Sequence, residues 1–197
     1  MGTPSLTIAI LAGGAASRLG GRDKGLATFD GRALVDHVLD AAGTMSGRPF
    51  ELLVVANRNL VDYARRARTV TDAIAGHPGP LAGIAAALAA CTTPWLLTLP
   101  VDCPDPPAGL PARLAQAAAR DAADALVAHD GERRQPLFAL YRRELAAAAA
   151  IAAQEGQGVA HWQAAIGARD VDFADCRRQF INLNTPEDFA AHGHPRC

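Results

Sequence analysis

The sequence has few aromatic residues and few cysteines. Phe, Trp and Tyr together make up 5% of the 197 residues, and much of the hydrophobic half of the chain is alanine. We therefore expect alanine-rich helices around a core with few large side chains. The four cysteines include no Cys-x-x-Cys pair, and four in a chain of this length do not form a disulfide framework. A reducing compartment, the cytoplasm, is the expected setting.

The sequence also lacks an excess of either charge and lacks long hydrophobic runs. Its 19 basic and 20 acidic residues leave a net charge of -1, which argues against a nucleic acid or an anionic membrane held by bulk electrostatics. The first apolar run, Leu6–Leu11, is too short for a membrane span and lacks the flanks of a signal peptide. We expect a single domain, active as a monomer, with no nucleic-acid partner and no membrane partner.

A glycine-rich loop with basic residues follows that first apolar run. The run reads as a buried strand that ends at Gly13 and Gly14, and the loop continues through Arg18 to Lys24. Glycines allow backbone N–H groups to approach an anion because no Cβ stands in the way. Arg18 and Lys24 add full positive charges to the same loop. The segment therefore predicts a phosphate-binding site.

The spacing of this loop excludes two common nucleotide motifs. It is not a Walker A loop, because Lys24 is not followed by Ser or Thr, and it is not Gly-x-Gly-x-x-Gly, because Gly14 is followed by two alanines. Residues 11–24 instead resemble the nucleotidyltransferase signature Leu-Ala-Gly-Gly-x-x-x-Arg-hydrophobic-Gly-x-x-x-Lys.

Strand-like and helix-like segments alternate along the chain. Strands are predicted at residues 6–11, 51–56, 69–71, 95–99, 125–129, 136–141, 170–173 and 180–183. Helices are predicted at residues 32–43, 60–66, 81–91, 111–120, 143–154 and 159–166, with a last one that starts at Thr185. This alternation predicts an α/β fold with three layers (α/β/α) around a mostly parallel, Rossmann-like sheet.

Polar residues follow the predicted strands where the strands end. Asn57, Asp72 and Asp102 lie just beyond three of them, and the last strand supplies Asn182 and, just after it, Asn184. Ligands of open α/β sheets bind at the carboxyl ends of the strands, so we expect these side chains to meet the Gly-rich loop. The set would suit a metal-bound nucleoside triphosphate.

Asp102 is the strongest candidate for a metal ligand. It follows a buried apolar strand and is flanked by Pro100 and Pro104 in a short turn. Mg²⁺ prefers oxygen ligands and often takes only one or two carboxylates, with phosphates and water completing its shell. The alternative is that Asp102 only caps the turn before Pro104. For Asp72 the alternative is a turn-forming residue at the end of a strand.

Several further motifs resemble those of the molybdenum cofactor guanylyltransferases, the MobA type. They are Val-Ala-Asn-Arg at 55–58, Pro-Gly-Pro-Leu-Ala-Gly at 78–83, Leu-Pro-Val-Asp-Cys-Pro at 99–104, His-Asp-Gly-Glu-Arg at 129–133 and Asn-Leu-Asn-Thr-Pro-Glu-Asp at 182–188. The resemblance implies transfer of GMP from GTP to the terminal phosphate of molybdopterin or the molybdenum cofactor, with release of pyrophosphate. It implies a nucleotide-binding half at about 1–105 and a pterin-substrate half at about 106–197.

The resemblance also implies roles for individual residues. Backbone groups of Leu11, Ala12 and Gly13, with Gly14 beside them, hold GTP, and Lys24 holds its phosphates. Asp72 contacts the nucleoside, and Asp102 contacts both the nucleotide and Mg²⁺. Arg18, Lys24 and Asp102 are the expected catalytic residues, and Asn57, Asn182 and Asn184 are further expected nucleotide contacts. Cofactor-delivery proteins or molybdoenzymes are possible protein partners.

The sequence departs from the family pattern at two places. Val55 stands where relatives can have an Asn, so Asn57 becomes the candidate for that nucleotide contact. Gln157 and Gly158 stand where relatives have a pair of arginines, which leaves the contacts to the pterin phosphate unassigned.

Three alternative functions remain open at this point. A cytidylyltransferase of the same superfamily would use CTP, although such relatives tend to have Ala-Ala-Gly where this chain has Ala12-Gly13-Gly14. A sugar-phosphate nucleotidyltransferase is a second alternative, but this chain has no visible sugar-binding extension. A non-catalytic nucleotide-binding protein for cofactor delivery would bind GTP without releasing pyrophosphate.

Overall fold

A twisted central sheet, flanked by helices on both faces, organises the protein. The computed structural model describes residues 5–13, 23–45, 51–72 and 79–192. Within these ranges the strands are β1 (Leu6–Leu11), β2 (Thr28–Phe29), β3 (Arg32–Ala33), β4 (Glu51–Val55), β5 (Arg68–Val70), β6 (Trp95–Pro100), β7 (Ala125–His129), β8 (Arg134–Arg142) and β9 (Arg169–Asp172). The α-helices are α1 (Leu34–Met45), α2 (Leu60–Ala64), α3 (Pro80–Ala90), α4 (Leu110–Asp121), α5 (Ala146–Gln154), α6 (Val159–Ala165) and α7 (Pro186–His192).

The order of the strands places the crevice of the sheet at the end of β1. The order is β5-β4-β1-β6-β8-β7-β9, in which β8 alone runs antiparallel to its neighbours. The chain builds outward from β1 to β4 and β5 on one side and then crosses to β6 on the other. A crevice opens at the carboxyl ends of the strands where the order reverses in this way. The mostly parallel sheet confirms the predicted fold class, in a single domain.

Alternating side chains of the strands build two cores, one on each face. In β1, Ile8 and Ile10 face a core that includes helices α1 and α4, whereas Ala9 and Leu11 face the opposite core with α3, α5 and α6. All four side chains are at most 8% exposed. Both faces of the strand are therefore covered, which is why its sequence, Thr7 excepted, is apolar rather than alternating.

Two predicted elements differ from the observed ones. Arg32 and Ala33, predicted as helix, form β3, because Asp30 and Gly31 both have positive φ (47° and 80°) and turn the chain back onto β2. Residues 180–183, predicted as a strand, form a loop after a 3₁₀ helix at Ala174–Gln179. Phe180 is buried there by edge contacts with two other phenylalanine rings rather than by strand pairing.

No helix within the described ranges has the length and apolarity needed to cross a membrane.

Candidate active site

The end of β1 joins the two sides of the crevice. Leu11 is in register with Val55 of β4 on one side and with Pro100 of β6 on the other. Beyond the strands, the Ala12 N–H donates to the Val55 carbonyl at 2.9 Å and the Val101 N–H donates to the Leu11 carbonyl at 3.2 Å. The Ala12 N–H is thus committed to the sheet, and backbone contacts to a nucleotide would come from other groups of this loop.

Lys24, Asp102 and Asn184 meet on the β6 side of the crevice. Lys24 Nζ donates to Asp102 Oδ2 and to Asn184 Oδ1, both at 2.7 Å. The side chains of Lys24 and Asp102 are 22% and 19% exposed, so the ion pair is screened from water more than a surface pair is. These three residues lie far apart in the sequence, and we call them the Lys24 cluster.

The second carboxylate oxygen of Asp102 could accept a further hydrogen bond or bind a metal ion. Asp102 Oδ1 is buried and has no hydrogen-bond partner among the described residues. A buried carboxylate oxygen without a partner costs free energy unless a ligand satisfies it. Neither oxygen accepts a backbone N–H of the described turn, so the structure gives no support to a turn-capping role for Asp102.

The carboxylate of Asp102 fits the coordination preferences of Mg²⁺. Mg²⁺ is commonly bound by one or two protein carboxylates, with substrate phosphates and waters as its other ligands. The described residues contain no group of three or more His, Cys, Asp and Glu that could hold a metal without substrate. Asp102 would therefore bind the ion together with nucleotide phosphates.

The loop from Asn182 to Asp188 carries Asn184 into the Lys24 cluster. The Leu183 N–H donates to the Asp102 carbonyl at 2.8 Å, and Asn184 Nδ2 donates to the Asn182 carbonyl at 3.3 Å. Asp188 Oδ2 accepts the N–H groups of Asn184 and Thr185, and these bonds hold the pKa of Asp188 below its usual value. Thr185 Oγ1 accepts the Asp188 N–H at 3.2 Å, which completes a capping box at the start of α7.

Asp23 anchors the segment that carries Lys24, and sequence reasoning assigned it no role. Asp23 Oδ1 accepts the Tyr63 hydroxyl at 2.5 Å and the Gly25 N–H at 3.0 Å, and Oδ2 accepts Asn59 Nδ2 at 2.9 Å. Burial of Tyr63 and its bond to the Asp23 carboxylate both raise the pKa of the Tyr63 hydroxyl. No local pattern around Asp23 signals this anchor, since its side-chain partners, Tyr63 and Asn59, come from α2 and the turn before it.

Gly25 is required by the same anchor. A Cβ at this position would overlap the Tyr63 hydroxyl and lie 3.1 Å from Val101 Cγ2. Lys24 can thus enter the crevice because the next residue has no side chain.

Asn57 and Asp72 form a second polar pair on the β4 side of the crevice. Asn57 Nδ2 donates to Asp72 Oδ2 at 2.6 Å, and the Asp72 N–H donates to Asn57 Oδ1 at 3.1 Å. A Cβ on Gly13 would lie 3.7 Å from Asn57 Nδ2, so the described start of the Gly-rich loop borders this pair. The carboxylate of Asp72 is held in one orientation by its neighbour.

A cavity of about 370 Å³ lies on the other side of the Lys24 cluster. Pro80, Pro100 and Asn182 line the part next to the crevice, and the β7–β8 hairpin and the start of α6 line the rest, including Arg133, Phe138 and Val159. We call it the hairpin cavity.

The structure thus brings most of the predicted site residues to one edge of the sheet. Leu11, Ala12 and Gly13 lie between the Lys24 cluster and the Asn57–Asp72 pair, and Asn182 borders the first of these. Gly14 and Arg18 lie outside the described residues. Asn182 and Asn184 reach the site from a loop and not, as predicted, from a strand.

Comparison with known proteins relates the chain to one family. Residues 8–170 match the family described as the MobA-like NTP transferase domain. The chain is 41% identical over 189 residues to a molybdenum cofactor guanylyltransferase of Vibrio cholerae, covering 94% of this chain and 91% of that protein. It is 40% identical over 185 residues to the protein of the same name from Photobacterium profundum, covering 93% of each.

A solved structure shares the fold over nearly the whole chain. The crystal structure of molybdopterin-guanine dinucleotide biosynthesis protein A from Archaeoglobus fulgidus superposes with a TM-score of 0.77 at 22% identity, covering 94% of this chain and 95% of that one. At this identity the likeness shows the fold alone. The matches in sequence show in addition that the chain belongs to the MobA-like NTP transferase family, and it is a nucleotidyltransferase.

Proposed function

We propose that the protein transfers GMP from GTP to the terminal phosphate of molybdopterin or the molybdenum cofactor. The guanylyltransferase names of the similar proteins support this reaction. The observation that carries it is the state of Asp102: one of its carboxylate oxygens pairs with Lys24, and the other is buried without a partner among the described residues. A carboxylate with one oxygen open to a ligand, at the point where the strand order of the sheet reverses, suits a site for metal-bound phosphates.

In this reaction the protein positions the two substrates and neutralises their charge, and it need not form a covalent bond to either of them. An oxygen of the molybdopterin phosphate attacks the α-phosphorus of GTP, and the bond from that phosphorus to the β-phosphate oxygen breaks to release pyrophosphate. The attacking phosphate is already ionised at neutral pH, so no general base is required. Catalysis of such transfers rests on alignment of the two phosphates and on neutralisation of their charge.

Lys24 would neutralise part of that charge. Its ammonium already sits between Asp102 and Asn184, which fix it at the edge of the crevice. Arg18, which the sequence places in the same loop, would add a second positive charge near the leaving pyrophosphate. Both charges are worth more inside a partly closed crevice than in bulk water.

Mg²⁺ is part of this proposal, with Asp102 as its protein ligand. When bound, the ion supplies charge neutralisation on the nucleotide phosphates. Chelation of divalent cations with EDTA is expected to stop pyrophosphate release, and added Mg²⁺ is expected to restore it. Unchanged release in EDTA would rule out this role for Asp102.

GTP is the proposed nucleotide, with CTP as the alternative. The Gly13-Gly14 pair and the names of the similar proteins favour GTP. Incubation with GTP or CTP, molybdopterin and Mg²⁺, followed by mass spectrometry of the pterin product, distinguishes the two. We expect the guanine dinucleotide. The cytosine dinucleotide would identify the CTP enzyme, and GTP binding without any dinucleotide would identify a delivery protein.

The halves of the chain also enter the proposal. The Gly-rich loop and the Asn57–Asp72 pair, within residues 1–105, would hold GTP, and residues 106–197 would supply most of the pterin site. The cytoplasmic setting, the monomeric state and a delivery protein or molybdoenzyme as partner stay predictions.

A further inference from the structure

The hairpin cavity borders the Lys24 cluster directly. Asn182 lines the cavity, and its carbonyl accepts a bond from Asn184, whose side-chain oxygen binds Lys24. Pro100, two residues before Asp102, lines the same wall. A molecule in this cavity would therefore lie next to the phosphates of a nucleotide bound at the Lys24 cluster.

The inner surface of the cavity suits a flat ring with a polar edge. Phe138 and Val159 supply apolar walls, and the Phe138 ring is fixed by an edge contact with Phe180 at a centroid distance of 4.9 Å. Asn182 Oδ1 is buried and has no hydrogen-bond partner among the described residues. A heterocycle with N–H donors would satisfy this oxygen and cover the apolar walls.

Two arginines at the mouth of the cavity differ in how far their charge is neutralised. Arg134 Nε donates to Asp170 Oδ1 at 2.5 Å, and its Nη2 donates to the Ala168 carbonyl, so this guanidinium is held in a close ion pair. Arg133 is 74% exposed, and its Nε is 4.0 Å from Asp130 Oδ2, the limit of an ion pair. That oxygen already accepts Gln135 Nε2 at 2.5 Å. Arg133 thus keeps its charge available to a ligand.

The backbone that carries Arg133 is fixed by Asp130. The buried carboxylate oxygen Oδ1 accepts the N–H groups of Glu132 at 2.9 Å and Arg133 at 2.8 Å. Gly131 has a φ of 94°, and a Cβ there would lie 2.9 Å from Ala174 Cβ, so the turn packs closely on its neighbour. A cation on a rigid turn loses less entropy when it binds an anion.

The α6 side of the cavity, lined by Val159 and Ala160, offers no such charge. These two residues and the preceding residues 155–158, which join α5 to α6, include no Lys or Arg. Gln157 Nε2 in this turn donates to Glu155 at 2.9 Å. An anion at the cavity would therefore be met from the hairpin side.

We propose that the hairpin cavity holds the ring system of the pterin substrate and that Arg133 binds the phosphate monoester of the same molecule. This assignment rests on the proposed function. It makes Arg133 a substrate-binding residue that aligns the attacking phosphate, with Asp130 as the residue that positions it.

The test is a fluorescence titration of the protein with molybdopterin under anaerobic conditions. Arg133→Gln is expected to weaken binding about tenfold or more, because a charge-assisted hydrogen bond to phosphate is lost. Binding of GTP is expected to stay unchanged. Arg65→Gln is the matched control, since Arg65 is also 74% exposed and also pairs at i,i+3, with Asp62 at 3.7 Å, but lies after α2 on the far side of β1.

A second probe identifies the group that Arg133 binds. With molybdopterin from which the phosphate has been removed, Arg133→Gln and the unchanged protein are expected to bind alike. A tenfold difference that persists with this probe would overturn the assignment to phosphate. Ala160→Trp, at an exposed position of the lining, tests the cavity independently and is expected to weaken molybdopterin binding without affecting GTP.

The outcomes separate the two proposals. If the unchanged protein forms the guanine dinucleotide while Arg133→Gln binds molybdopterin as tightly as Arg65→Gln does, the role of Arg133 is wrong and the proposed function stands. If the unchanged protein binds no molybdopterin, both proposals fail. Unimpaired binding by Ala160→Trp would place the ring outside the hairpin cavity.

Discussion

Lys24 and Asp102 form a partly buried ion pair of 2.7 Å that joins the Gly-rich loop to the end of β6. The two residues are held in place by different elements, Lys24 through the Asp23 anchor and Asp102 through the Leu183 N–H. The pair therefore depends on the fold as a whole rather than on local structure. The other Asp102 oxygen has no partner among the described residues and could bind a further ligand.

Asp102→Asn tests the carboxylate of this pair. The amide can still accept the Lys24 hydrogen bond, so we expect the fold to survive, but the negative charge needed for Mg²⁺ is lost. Turnover is expected to fall by about 100-fold or more, in keeping with the loss of one major electrostatic contact in a transition state. Pyrophosphate release measures the rate, and circular dichroism measures the fold.

The control for that variant is Asp105→Asn, an exposed carboxylate three residues away. This control is expected to retain its activity. A near-normal rate in Asp102→Asn would remove Asp102 from the mechanism.

Gly25→Ala tests the anchor that directs Lys24 into the crevice. The new Cβ would collide with the Tyr63 hydroxyl, and overpacking of this kind lowers the unfolding free energy by about 1–3 kcal/mol. Tyr63→Phe removes the hydroxyl, so the double variant is expected to lose less stability than the two single changes added together. Urea unfolding of the four proteins measures this coupling. Strict additivity would show that the two positions do not compete for space.

Asn57→Ala tests whether the orientation of Asp72 matters for the nucleotide. The change removes both hydrogen bonds between the two side groups, so Asp72 loses its fixed position. We expect the KM for GTP to rise by about 3- to 10-fold, the range for loss of a typical hydrogen bond, with little change in kcat or in the KM for molybdopterin. An unchanged KM for GTP would place the nucleoside away from this pair.

The lowered pKa of Asp130 makes the free energy of unfolding depend on pH. Burial alone would raise the pKa of Asp130, but the N–H groups of Arg133 and Glu132 and the amide of Gln135 together lower it to about 2. A lowered pKa means that the ionised group stabilises the folded state fully above its ordinary value of 3.8, and that this contribution is lost as the pH falls toward 2.

Asp130→Asn isolates that contribution. In the variant, the side-chain NH₂ of asparagine would face the N–H donors that the Asp130 carboxylate now accepts. We therefore expect a loss of about 1–3 kcal/mol in unfolding free energy at pH 7. The deficit is expected to shrink between pH 4 and pH 2, the range set by the two pKa values of Asp130. Chemical unfolding at several pH values measures it. A deficit that stays constant down to pH 2 would mean that the Asp130 charge contributes nothing.

The sequence predicted the elements of the sheet better than the exceptions to it. Leu6–Leu11 and Ala125–His129 have the predicted bounds, because continuous apolar runs bounded by turn residues are typical of buried strands. The prediction at 180–183 was wrong because its apolar side chains anchor a loop, which the pattern does not distinguish from a strand. The Asp30-Gly31 pair is itself a hairpin signal, and it separates β2 from β3 where the helix prediction for 32–43 begins.

The sequence predicts which residues reach the site but not which of them contact each other. Residues after parallel strands must share one edge of the sheet, so Asn57, Asp72 and Asp102 were expected there. Which of them touch depends on the lateral order of the strands, and the sequence does not reveal that order. The contact of Lys24 with Asn184, 160 residues away, is of this kind.

The measurement that tests the central claim most directly is pyrophosphate release from GTP, CTP, ATP and UTP, each with Mg²⁺ and with or without molybdopterin. The proposed function predicts release from GTP that requires molybdopterin and is much slower with the other nucleotides. Release that prefers another nucleotide, or GTP binding with no release in the presence of molybdopterin, would contradict it.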